Sequence, residues 1–134
     1  MRSFWFVLLV FSALGFACST SQKTAAPAQK VEVKAEEDSL EYQLIVLDPK
    51  FDSYLVTQPM AEFYSQEYYE NWNKQYVTEW NLRHQNPLRY GGFYETEIDY
   101  DPFTDYGLDL NYRLYYYFRF IEKEYGVRLI NRGH

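Results

Sequence analysis

Asp109-Leu110-Asn111-Tyr112-Arg113-Leu114-Tyr115-Tyr116-Tyr117-Phe118-Arg119-Phe120-Ile121-Glu122-Lys123-Glu124-Tyr125 is the stretch that decides the fold. Its apolar residues recur at helical spacings of three and four. Gly126 follows where a helix closes on a left-handed residue, with Val127 placed for the accompanying apolar contact. Plotted at about 100° per residue, Leu110, Leu114, Tyr117, Phe118, Ile121 and Tyr125 fall within about 100° of arc. Tyr112, Tyr116 and Phe120 form a second stripe roughly 150° away. A surface helix needs one apolar face. This one is therefore either the central element of its domain, covered by the long 87–107 segment, or a helix whose second stripe meets a partner. In the first case the stripe is core; in the second, Tyr112, Tyr116 and Phe120 are the candidate partner surface.

Another helix precedes it. Ser65 is positioned as an N-cap, Glu67 and Glu70 lie near the positive end of the dipole, and the pattern runs to about Gln85, ahead of Asn86-Pro87. Tyr69, Trp72, Tyr76 and Trp80 give its apolar stripe. Strands are read at 42–47, an apolar run stopped by Asp48-Pro49, and at 127–130. A third is read across 94–100, where Tyr94, Thr96, Ile98 and Tyr100 alternate with Glu95, Glu97 and Asp99. The expected fold class is α+β, a small sheet of two to three strands packed on two aromatic-rich helices.

Upstream the chain is a different material. Met1-Arg2-Ser3 carries one positive charge, residues 4–14 are almost unbroken apolar, and Gly15-Phe16-Ala17 lead into Cys18, the chain's only cysteine. The run is too short for an ordinary transmembrane helix. It has the architecture of a lipoprotein signal over 1–17, with Cys18 acylated by palmitate-type chains as the mature N-terminus. A plain secretory signal cleaved nearby is the alternative. Residues 19–41 contain no aromatic side chain and read as a disordered tether. Val31 and Val33 alternate with Lys30, Glu32 and Lys34 as in a strand, but Glu36-Glu37-Asp38 favours solvation. The expected organisation is a signal at 1–17, lipidated cysteine and linker at 18–41, and one globular domain at 42–134.

Residues 42–134 hold 23 aromatic residues against 18 Ile, Leu, Val and Met, so rings rather than aliphatic chains must fill the core. Each buried tyrosine hydroxyl then needs a backbone, carboxylate or water partner. Loss of Arg2 with the signal leaves 12 basic against 19 acidic residues, net −7. That balance argues against nucleic acid, and against anionic headgroups as partners of the folded part.

The acidic stretch Glu95, Glu97, Asp99, Asp101, Asp105 holds paired carboxylates of the kind used for acid–base work or calcium. Pro102 and Phe103 break the EF-hand spacing, and no glycine sits at its sixth position. Solvated carboxylates accepting from tyrosines and arginines are the plainer reading. His84, at the end of the first helix, suits the negative end of the dipole. No nucleophile elbow, H-E-x-x-H, glycine-rich phosphate loop or C-x-x-C pair occurs. No catalytic residue, metal ligand or cofactor is assigned, and a non-enzymatic protein is expected. Trp72, Tyr90, Phe93 and Tyr94, with Glu95, Glu97 and Asp99, form a candidate carbohydrate groove: rings for pyranose faces, acids for hydroxyls. Against it, Trp72 lies on the stripe its helix must bury.

Three strings are long and compositionally odd: Phe63-Tyr64-Ser65-Gln66-Glu67-Tyr68-Tyr69-Glu70-Asn71-Trp72-Asn73, Tyr90-Gly91-Gly92-Phe93-Tyr94-Glu95-Thr96-Glu97-Ile98-Asp99-Tyr100-Asp101-Pro102, and Asp105-Tyr106-Gly107-Leu108 with Asn111-Tyr112-Arg113-Leu114-Tyr115-Tyr116-Tyr117-Phe118. Over about residues 42–130 the chain resembles a family of small Gram-negative envelope lipoproteins whose function is unassigned. The resemblance implies an envelope lipoprotein and no activity, substrate or site. Ser19-Thr20-Ser21-Gln22-Lys23-Thr24 lacks the acidic run of surface-exported lipoproteins and has no Asp after the cysteine. By analogy the expected location is the periplasmic side of the outer membrane. The expected role is that of a monomeric, membrane-anchored module that binds another envelope protein, with carbohydrate or peptidoglycan binding or processing as the alternative.

Overall fold

The computed structural model describes residues 26–36 and 42–133; the signal and Cys18 lie outside the described residues. In chain order the elements are strands β1 (Val31–Ala35) and β2 (Tyr42–Val46), helix α1 (Lys50–Leu55), a 3₁₀ turn (Ala61–Phe63), and helices α2 (Gln66–His84), α3 (Pro87–Tyr90) and α4 (Gly107–Tyr125). The architecture is α+β, a two-stranded antiparallel sheet with α2 and α4 forming an aromatic core.

The two long helices form for the reasons their sequences supply. Ser65 caps α2, its Oγ accepting from Tyr68 N at 3.2 Å. The helix ends at His84, just before the turn that leads into Pro87. Asp105 Oδ1 accepts from Gly107 N at 2.9 Å at the start of α4, and Gly126 closes it at φ 65° in the left-handed region where a side chain is costly. The helices cross at a buried polar centre: Asn73 Nδ2 donates to the Asn111 carbonyl (2.9 Å), and Tyr100 OH donates to Asn111 Oδ1 (2.8 Å). The buried stripe of α2 is thus Tyr69, Asn73, Tyr76, Val77 and Trp80, while Trp72 sits half-buried at its margin.

The sheet is where sequence expectation and structure part. Residues 42–46 form a strand as expected, but its partner is β1, in the register Val31↔Val46 and Val33↔Leu44. Val31 is fully buried. The folded unit therefore reaches back at least to Gln29, which is also buried, and the proposed linker–domain boundary at 42 is too late. Residues 127–130 form no strand. Residues 94–100 keep their alternation, with Tyr94 and Ile98 buried and Glu95, Glu97 and Asp99 exposed, yet they make one parallel bridge, Gln29↔Tyr94, instead of a ladder. Side chains take the place of a neighbouring strand. Thr96 Oγ1 bonds both the N–H (3.1 Å) and the carbonyl (2.8 Å) of Val31, while Asn81 bonds both the N–H (2.8 Å) and the carbonyl (2.9 Å) of Ile98. With their polar groups satisfied this way, these residues have no need of a ladder.

Candidate functional site

The second stripe of α4 lies inside the molecule. Tyr112, Tyr116 and Phe120 are 9, 6 and 2 % exposed, which removes them as a partner surface. Their cover also differs from the expected one. Residues 93–100 pack elsewhere, against Trp80 and Tyr125. Phe120 instead lies against Phe51 and Tyr54 of α1, with ring centroids 5.7 and 5.5 Å away, and Tyr112 packs on Tyr69 and beneath the α1–α2 connection.

That connection is the surface feature the sequence reading missed. Four of the nine large apolar residues left exposed among the described residues fall within 56–64: Val56, Met60, Phe63 and Tyr64. Their exposures of 84, 78, 64 and 36 % are those of side chains facing water. The backbone under them is pinned from below. Tyr112 OH donates to the Pro59 carbonyl at 2.9 Å, Tyr69 OH donates to the Ala61 carbonyl at 3.0 Å, and Phe63 N closes the 3₁₀ turn on the Met60 carbonyl at 3.0 Å. Tyr64 stacks on Tyr68 with centroids 4.0 Å apart and meets the edge of Phe63 at 4.7 Å. The result is a largely apolar ledge, interrupted by the exposed Glu62, whose 59–61 backbone is held by core tyrosines. The only sequence clue was Phe63-Tyr64 standing outside the helical stripe that begins at Tyr69.

The candidate carbohydrate groove is not assembled. Phe93 and Tyr94 join Trp80 in one cluster, with Trp80–Tyr94 centroids 5.0 Å apart, but Tyr94 is buried and its hydroxyl accepts from Arg83 Nη1 at 2.8 Å. Tyr90 is covered by the Arg83 and Arg89 guanidiniums, each 5.2 Å from its centroid. Trp72 lies about two turns before Trp80 on α2, with Arg132 against its face at 3.9 Å. Glu95, Glu97 and Asp99 line a shallow depression with Glu32, Lys34 and His84, and among the described residues no Phe, Tyr or Trp side chain borders it.

The remaining acids of the 95–105 stretch serve the backbone. Asp101 accepts from Phe103 N (3.0 Å) and Thr104 Oγ1 (2.8 Å); Asp105 accepts from Gln66 Nε2 (2.7 Å) as well as from Gly107 N. Bonds to the Phe103 amide first and to Thr104 next hold the Asp101 carboxyl below its usual range, and Gln66 then Gly107 do the same for Asp105. No group of three or more metal-ligating side chains forms among the described residues. His84 Nδ1 bonds the Tyr94 carbonyl at 2.8 Å, so its role includes holding the 94–100 segment to α2. No helix among the described residues is long and apolar enough to cross a membrane.

Fold and surface together define a small α+β domain with an aromatic core and a largely apolar ledge. The model of a family described as "Family of unknown function (DUF6146)" matches residues 5–133, and the chain belongs to that family. No match was found among the curated proteins or the solved structures.

Proposed function

We propose that this protein is a lipid-anchored, non-enzymatic interaction module of the Gram-negative cell envelope. In this reading Cys18 holds it to the periplasmic face of the outer membrane, and the 56–64 ledge binds another envelope protein. The ledge is the observation that carries the proposal. Met60 and Phe63 project into water from a backbone that Tyr69 and Tyr112 already hold, and Val56 from the capped end of α1, so a partner meets them with little ordering cost. Fully burying three such side chains contributes about 5–9 kcal/mol gross. Association costs about 4–15 kcal/mol, so the ledge alone supports a transient complex. Anchoring both partners to one membrane offsets part of that cost by raising their effective concentration.

Two measurements test this. Intact mass with radiolabelled palmitate is expected to show an acylated chain beginning at Cys18, and no label in Cys18→Ala. Crosslinking in intact cells followed by affinity capture is expected to recover one stoichiometric protein with the native chain. The Met60→Glu/Phe63→Glu double variant should recover at least about tenfold less, with unchanged circular dichroism. Undiminished capture by that variant, or muropeptides recovered without protein, would overturn the reading.

A further inference from the structure

The opposite end of α4 carries a different kind of surface. A cleft of about 420 Å³ lies between its last turns and the C-terminal segment, and its charged lining residues are Arg119, Arg128, Arg132 and Glu122. Among the described residues three cations thus line the cleft with one carboxylate, on a chain whose net charge is −6. Glu122 is already occupied. It accepts from Arg119 Nη1 at 2.8 Å, from Tyr76 OH at 3.1 Å and from Leu129 N at 3.3 Å. Among the described residues neither Arg128 nor Arg132 has an ion-pair partner within 4.0 Å. Arg132 is nonetheless held firmly. Its guanidinium lies over Trp72 at 3.9 Å, its Nη2 donates to Tyr115 OH at 3.0 Å, and its Nε is buried with no acceptor among the described residues.

Arg132 Nη1 has no acceptor among the described residues, and a guanidinium fixed by stacking holds that N–H group in place for an incoming oxygen, beside the exposed Arg128. We infer that this cleft binds an oxyanion, a carboxylate or phosphate group, through Arg128 and Arg132, with Glu122 fixing Arg119 at its wall. The inference does not depend on the ledge, because no residue of 56–64 lines the cleft.

Calorimetric titration of the full chain in a nonionic detergent, with inorganic phosphate in one arm and acetate in the other, tests the site. Sodium chloride of matched ionic strength is the reference. Saturable heat from either oxyanion is expected, and the tighter of the two names the ligand class. Arg128→Gln, at an exposed position, should weaken binding about fivefold or more. Arg132→Lys, which keeps charge and loses the fork, should weaken it about tenfold. Heats equal to those of chloride, or affinities unchanged in Arg128→Gln, would overturn the inference.

Discussion

Arg83 illustrates how single polar side chains hold this molecule together. Its Nε donates to Glu79 at 2.6 Å, its Nη1 to Tyr94 OH at 2.8 Å, and its Nη2 to the carbonyls of Arg128 at 2.8 Å and Leu129 at 3.3 Å. One guanidinium therefore ties α2 to the 94–100 segment and to the C-terminal segment, neither of which has a ladder of its own. A lysine has the charge but not the fork. Arg83→Lys is expected to cost about 2–3 kcal/mol in urea denaturation. Arg89→Lys, on the outer face of the same Tyr90 ring, should cost less than about 0.5 kcal/mol. Equal costs would mean that the clasp contributes nothing. The Asn73–Asn111–Tyr100 centre makes the same point at the helix crossing. Asn111→Ala removes the acceptor of the Tyr100 hydroxyl and leaves Asn73 only the backbone carbonyl.

At the scale of elements, local signals and tertiary ones behaved differently. Ser65 at the start of α2, Pro87 beyond its end and Gly126 after α4 act through bonds and dihedrals of their immediate neighbours, and all three were readable from the chain. Ser65→Ala is expected to cost about 1 kcal/mol, read as a lower thermal midpoint. β1 was not assigned because Val31-Glu32-Val33-Lys34-Ala35 is short and flanked by charge; only its pairing with β2 and the burial of Val31 make it a strand. The reverse holds for 127–130 and 94–100, whose apolar residues are buried or half-buried as their patterns suggest but whose hydrogen bonds, apart from the Gln29 bridge, go largely to side chains. Spacing reports which residues are covered, not what covers them. Val31→Asp buries a carboxylate without a cation and should cost at least about 3 kcal/mol, whereas Lys34→Gln, which loses only an exposed ion pair with Glu32, should cost less than about 1 kcal/mol. Similar stabilities for the two variants would restore the later domain boundary.

For the molecule as a whole, the decisive property is a core built of phenols. Burial, before any neighbouring charge, pushes the Tyr116 and Tyr125 hydroxyls up to about 12 and those of Tyr100, Tyr115 and Tyr117 further. The fold thus prefers the neutral phenol. Below pH about 10 these groups are protonated in both the folded and the unfolded chain, so their contribution is fully present and stability does not vary with their titration. Above it the unfolded chain releases protons that the folded chain keeps, so stability falls as pH rises from about 10 through 12. The share of tyrosinate absorbance that belongs to these five hydroxyls should therefore appear late and together with loss of the circular dichroism signal. Titration of all fifteen tyrosines near 10 with the fold intact would show that these hydroxyls are not buried.

Two other tyrosine hydroxyls connect core to surface, since Tyr112 and Tyr69 hold the Pro59 and Ala61 carbonyls beside which Met60 and Phe63 project. The most direct test of the proposed role places a photoreactive residue at position 63, and for comparison at position 88, where Leu88 is equally apolar and fully exposed on α3. Irradiation of living cells should give one discrete heavier adduct from position 63 and none from 88. No adduct from 63, or the same products from both positions, would contradict a binding role for the ledge.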